Sequence, residues 1–195
     1  MHFGKDGKLF VAVGENTRRD SAQRITSYFG KMLRINADGS APSDNPYASS
    51  SSPRAQRVWS SGLRNPYTFS IEPGTDKIFV NNVGEVTWEE INDATVGGRN
   101  FGWPNQPGGE GYTANPGQTQ PIYAYPHQNG SPDGTGCAIT GGTFFSPANT
   151  NYPAQYQGKY FLWTTAGSGL TTSTPVAAPR AIRVNPSAWR SARVT

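Results

Sequence analysis

Short apolar runs separated by glycine, proline and asparagine corners make up most of the chain, and many alternate with period two. Lys8-Leu9-Phe10-Val11-Ala12-Val13 lies between the Asp6-Gly7 turn and Gly14. It is apolar on both faces, as a strand buried from two sides would be. Lys31-Met32-Leu33-Arg34-Ile35-Asn36 alternates and stops at Asp38-Gly39, which predicts a strand and a turn. Gln56 to Ser60 reads as a short strand around Val58 and Trp59. Tyr67-Thr68-Phe69-Ser70-Ile71 and Lys77-Ile78-Phe79-Val80 flank Pro73-Gly74 and predict a hairpin. Further strands are expected at Trp88–Asn92, Ile122–Tyr125 and Ala138–Thr140, with another beginning at Gly142 and a last one at Gly158–Phe161. Asn16–Tyr28 reads as a long loop or one weak helical turn, and Ala41–Arg54 and Gln106–Gln120 as polar excursions.

These runs repeat. Lys8-Leu9-Phe10-Val11 returns as Lys77-Ile78-Phe79-Val80 and, more loosely, as Lys159-Tyr160-Phe161-Leu162. Val13-Gly14-Glu15 returns as Val83-Gly84-Glu85, and Arg34-Ile35-Asn36 as Glu90-Ile91-Asn92. A period of roughly 70 to 80 residues suits a four-stranded antiparallel blade with long loops. Such units bury their faces only against neighbours. The fold class expected is all-β: part of a β-propeller, about two and a half to three blades long. A β-sandwich with accidental similarities is the alternative the pattern leaves open.

Composition supports the turn-rich reading: 34% of residues are apolar, with 23 glycines and 16 prolines among 195. No apolar stretch approaches the roughly 18 residues of a membrane span, and no secretory signal is visible at the N-terminus. One cysteine, Cys137, rules out an internal disulfide in this chain and any cysteine-cluster metal site. The net charge of +4 suggests nucleic acid only at first sight. Without Arg180, Arg183, Arg190 and Arg193 the charges balance at 13 each, and those arginines sit in a Ser/Thr/Ala/Pro stretch. A nucleic-acid partner is therefore not expected.

Candidate chemistry concentrates between Trp59 and Pro104. In Gly62-Leu63-Arg64-Asn65-Pro66 a guanidinium stands beside an amide at a corner, a small group suited to reading an anion or a carbonyl. A solvated loop arginine is the plainer alternative. Two histidines remain, His2 and His127; His127, in Tyr125-Pro126-His127, is expected to be a solvated or turn histidine.

The residues also carry a resemblance. Phe3–Val11, Gly30–Ser40, Gly62-Leu63-Arg64-Asn65-Pro66, Trp88-Glu89-Glu90-Ile91-Asn92, Asn100-Phe101-Gly102-Trp103-Pro104 and Ile139-Thr140-Gly141-Gly142 resemble the glucose/sorbosone dehydrogenase family, in one order across residues 2 to about 161. The resemblance implies a six-bladed propeller that uses pyrroloquinoline quinone (PQQ) and Ca2+ to oxidise the anomeric hydroxyl of an aldose to a lactone. It also implies an electron acceptor and a secreted or periplasmic parent protein. Arg64 and Asn65 match the cofactor-binding pair at the reactive quinone carbonyl, where Arg64 is the catalytic candidate that stabilises developing negative charge. Gly84 and Glu85 match the metal ligands, through backbone carbonyls suited to a hard cation. Position 85 is often another residue in the family, which matters little for a backbone ligand. Glu89 matches a nearby acidic position.

Two departures set further expectations. The family's histidine base lies in a His-x-Gly-Gly segment ahead of Phe3-Gly4, so His2 is not that base and the general base is expected to be absent from this chain. The cations that clamp the quinone carboxylates belong to later blades. Residues 1–161 are expected to be the partial propeller, inactive by itself. A non-catalytic propeller module binding a carbohydrate or a protein is the alternative. Residues 162–195 are expected to be frameshifted or a disordered tail, because from Trp163 onward one base out of frame permits the family's continuation.

Overall fold

The computed structural model describes residues 1–105, 111, 116–127 and 138–164, and the backbone alone at 165, 171–177 and 180–181. Cys137, much of the Gln106–Gln120 excursion and most of the stretch after Thr165 lie outside the described residues.

Three four-stranded antiparallel sheets follow one another along the chain. The first holds β1 (His2–Phe3), β2 (Leu9–Val13), β3 (Lys31–Ile35) and β4 (Val58–Ser61), side by side in chain order. The second holds β5 (Asn65–Ile71), β6 (Ile78–Val83), β7 (Trp88–Asp93) and β8 (Tyr123–Pro126), and the third β9 (Ala138–Phe145), β10 (Lys159–Thr165), β11 (Thr171–Ala177) and β12 (Arg180–Ala181). Each sheet is an up-and-down meander, as expected of blades.

The second-strand runs occupy equivalent places: Lys8–Val11, Lys77–Val80 and Lys159–Leu162 lead into or lie on the second strand of their sheets. The Arg34-Ile35-Asn36 and Glu90-Ile91-Asn92 echo is not in register, because Arg34 pairs with Phe10 whereas Asp93, not Glu90, pairs with Phe79. Strand alternation then assigns the faces. On β6, Ile78 and Val80 turn back to join Phe10, Met32, Leu63 and Phe69 in the core between the first two sheets. Phe79, one residue out of phase, turns forward to Ile91, Ile139, Phe144, Tyr160 and Leu162 between the second and third. Phe161 is the equivalent of Phe10 and Phe79. Its forward face meets no described sheet, and it is half-buried against Phe145 and Tyr156, at ring distances of 5.9 and 6.0 Å.

Three expectations are corrected. Lys8–Val13 is not buried from both sides: Phe10 is buried, whereas Leu9, Val11 and Val13 are half-buried on a face that no described sheet covers. Ala138–Phe145 is one strand rather than two, because Gly141 and Gly142 remain in register opposite Trp163 and Leu162. The last expected strand, Gly158–Phe161, is longer than its pattern indicated, because β10 runs from Lys159 to Thr165.

Candidate functional site

The site is built where the first sheet hands the chain to the second. β4 ends at Ser61 and β5 begins at Asn65, so the Gly62–Arg64 connector is three residues long. Gly62 has φ +73°, and a Cβ there would stand 2.2 Å from Asn100 Oδ1 and 2.6 Å from Gly102 N. Only glycine accepts both the conformation and the crowding. Asn100–Trp103 crowds this corner because it runs parallel to the end of β4 and the connector. Ser61 bridges Asn100, Phe101 N–H donates to Ser61 O (2.9 Å) and Trp103 N–H donates to Gly62 O (3.0 Å). Two motifs far apart in sequence, Gly-Leu-Arg-Asn-Pro and Asn-Phe-Gly-Trp-Pro, thus form one structure.

Asn82 fixes the corner's geometry. Its Oδ1 accepts from the backbone N–H of both Arg64 (3.1 Å) and Asn65 (3.0 Å), and its Nδ2 donates to Glu90 Oε2 (3.1 Å). Asn65 pairs with Val83 across β5 and β6, and the Arg64 guanidinium donates to Val83 O at 3.1 Å. Gly84 and Glu85 are the next residues, where the chain leaves β6 and bends. Arg64-Asn65 and Gly84-Glu85 are therefore adjacent corners at one end of the second sheet, and Arg64 is held rather than solvated.

Further groups gather here. Trp103 is 2% exposed; the Arg64 guanidinium lies 5.9 Å and the Arg19 guanidinium 4.7 Å from its ring centroid. Arg19 also pairs with Glu85 at 3.2 Å. Glu15 donates its backbone N–H to Arg64 O (2.8 Å) and is 7% exposed. Arg64 Nε, Trp103 Nε1 and Glu15 Oε2 are buried without a hydrogen-bond partner among the described residues. Buried polar atoms are nearly always paired, so two N–H donors and a carboxylate oxygen left over at one corner call for a partner from outside it.

The remaining candidates lie elsewhere. His2 sits on β1, its ring edge-on to Phe69 at 4.8 Å, and burial pulls its pKa below the ordinary value. His127 is not solvated: its side chain is 9% exposed and its Nε2 bonds the Glu89 carboxylate. Its backbone N–H donates to Thr87 O (2.8 Å), which extends the pairing of β7 and β8 by one step and lays the ring on Glu89. Glu89 Oε2 also accepts from Ile139 N–H at 3.0 Å, tying the second sheet to the third. No cluster of three or more His, Cys, Asp or Glu suited to a metal occurs among the described residues, and no helix among them is long and apolar enough to cross a membrane. Sequence reasoning passed over Asn82, Trp103, Arg19 and the Glu15 carboxylate. Asn81-Asn82 inside an otherwise apolar strand was the one signal available, since buried amides in a central strand need partners.

The family profile "Glucose / Sorbosone dehydrogenase" matches residues 1–179. The chain belongs to this family. Among similar dehydrogenases, "Aldose sugar dehydrogenase YliI" of Escherichia coli (strain K12) is 39% identical over 109 residues, covering 53% of this chain and 29% of that protein. "Quinoprotein glucose dehydrogenase B" of Acinetobacter calcoaceticus is 32% identical over 124 residues, covering 54% of this chain and 25% of that protein. A solved "glucose dehydrogenase" superposes with a TM-score of 0.75 at 26% identity, covering 95% of this chain and 53% of that one. The chain thus spans about half of that solved structure and under a third of those curated relatives. Its three sheets are part of a dehydrogenase β-propeller.

Proposed function

We propose that the Arg64 corner is one wall of the cofactor site of a PQQ-dependent aldose dehydrogenase, which oxidises an anomeric hydroxyl to a lactone. The observation that carries this reading is the pair of buried donors, Arg64 Nε and Trp103 Nε1, which meet no partner among the described residues, beside a backbone pinned by Asn82. Their chemistry fits a carbonyl or carboxylate oxygen. Bound PQQ would supply the two-electron acceptor. Arg64 would hold a quinone oxygen and offset the negative charge that collects there, and the Asn65 amide would orient it. Because Asn82 and Val83 O fix the pair beforehand, little reorganisation is needed when charge develops. The backbone carbonyls of Gly84 and Glu85 present hard oxygen donors one step away, the ligand type Ca2+ takes. Glu15 Oε2 offers an acceptor to an O–H or N–H group entering the corner. Neither His2, against Phe69, nor His127, on Glu89, is assigned as the base. An aldose, an electron acceptor and an exported parent complete the reading, with the chain by itself turning over no sugar.

The test is a fluorescence titration of the protein with PQQ in excess Ca2+, with dye reduction by glucose followed in parallel. Saturable quenching is expected. Arg64→Ala should weaken it roughly ten- to hundredfold, the loss of a charge-assisted bond, with the unfolding midpoint little changed. Quenching that Arg64→Ala leaves untouched, or none in the parent, defeats the cofactor reading. Sustained dye reduction would overturn the inactivity. Saturable glucose binding without quinone would favour a carbohydrate-binding module instead.

A further inference from the structure

Lys31 opens β3 and is fully buried. Its neighbours across the sheet are Val13 on β2 and Ser61 on β4. Its ammonium donates to Ser21 O (2.8 Å), Ala22 O (2.7 Å) and Phe29 O (2.9 Å), which uses all three N–H groups. Burial, with the Arg24 charge added, pulls its pKa down to about 8, so the ammonium form still dominates at pH 7. A buried cation held only by neutral carbonyls is a costly way to fill space, and a methionine would pack there more cheaply. What the cation achieves is to gather three backbone carbonyls of one segment onto one point.

That segment has little to hold it otherwise. Residues 16–30 contain one short 3-10 turn (Arg19–Ala22), and Ala22 is the one fully buried apolar residue among them. The segment nevertheless makes specific contacts with the site. Ala22 O accepts from Gly62 N–H (3.1 Å) and Gly30 O from Leu63 N–H (3.2 Å). The Gln23 amide exchanges hydrogen bonds with Asn100 (3.1 and 2.7 Å) and donates to Trp103 O. Arg19 covers the Trp103 ring and pairs with Glu85.

We propose that Lys31 is the positioning residue of this corner: by collecting the Ser21, Ala22 and Phe29 carbonyls it sets the loop whose Arg19 and Gln23 hold Trp103 and Glu85 beside Arg64. The role rests on reading the corner as a cofactor site; the mechanical link does not. Hydrogen–deuterium exchange resolved by segment tests the link without cofactor. Lys31→Met should speed exchange about tenfold or more in both 16–30 and 99–105, while β6 and β7 amides stay within about twofold. The second segment is informative because the bonds of Lys31 all go to the first. Arg19→Met should speed 99–105 and spare 21–30. Equal acceleration of all three sheets in Lys31→Met, or none at 99–105, overturns the proposal. If Lys31→Met does not fold, the parent protein decides: 16–30 and 99–105 should open together in subdenaturing urea, and protection differing by more than about tenfold sinks the link. The PQQ titration separates the two ideas. Failure of the parent to bind PQQ ends the cofactor reading and leaves the exchange result standing, whereas Lys31→Met should weaken any binding seen.

Discussion

The two junctions between sheets are made from the same repeat and hold together differently. Between the second and third sheets, Phe79, Phe144 and Tyr160 pack mutually with ring centroids 4.8 to 5.2 Å apart. Buried polar groups there pair across the junction, as Tyr160 does with Asn81 at 3.2 Å and Glu89 with His127, while Thr164 Oγ1 meets no partner among the described residues. Between the first and second sheets the core mixes aliphatic residues with Phe10, Phe69 and Phe101, and its connector end carries Arg64, Trp103 and Glu15, each with a buried polar atom unpartnered among the described residues. What distinguishes the first junction is grouping: two N–H donors and a carboxylate oxygen without partners among the described residues belong to one connector, the arrangement on which the proposed cofactor reading rests.

The contrast can be broken most severely at Phe79. Replacing this buried ring by alanine should cost about 3–5 kcal/mol, read from denaturant unfolding, while Phe161→Ala, at the same repeat position on an uncovered face, should cost less than half of that. Equal costs would mean that the two positions are not equivalent. Asn82→Ala comes next. It removes the shared acceptor of the Arg64 and Asn65 amides, and leaving buried donors unsatisfied should cost about 1–3 kcal/mol with a parallel loss of PQQ affinity. Unchanged affinity would mean that the corner needs no pinning.

The smallest effect is acid titration in the first sheet. Arg34, 6% exposed, bonds Asp6 and Asp44. Burial pushes the Asp6 pKa up, but the Lys8 amide and the Arg34 guanidinium outweigh it, and bonding to Arg34 depresses that of Asp44. Both folded values lie below the ordinary carboxylate range. Their contribution is therefore complete above about pH 4 and is lost as pH falls through the depressed values. Solvent screening at these exposed carboxylates limits it to less than about 1 kcal/mol, and Arg34→Met should flatten that part of the acid profile of the thermal midpoint.

Strand positions were legible because side-chain alternation is local: Tyr67–Ile71 and Lys77–Val80 form the hairpin their pattern predicts. The second-strand repeat was legible for the same reason, whereas the Arg34-Ile35-Asn36 echo in Glu90-Ile91-Asn92 does not share a register. Arg64-Asn65 and Gly84-Glu85 could be named from motifs, and they are adjacent. Arg19 and Asn82 could not, and Trp103 stood in a motif without a role, because nothing in their own neighbourhoods says which distant groups they meet. His127 was misread for that reason: its partner Glu89 lies 38 residues away.

By itself the order of apolar and polar residues determined most of the strands between Leu9 and Phe161 and the glycine-marked corners, because those depend on two-residue periodicity and on backbone dihedrals that few residues tolerate; β1, β11 and β12 came only with the structure. Only the folded arrangement decided that Gly62 passes beneath Asn100, that the Lys31 ammonium gathers a loop, and that the donors of Arg64 and Trp103 are left facing one corner. Pairing and burial of polar groups are properties of three-dimensional neighbours. A side chain carries its hydrogen-bonding capacity in the sequence, but whether that capacity is met depends on which other segments the sheets bring within 3 Å or so of it.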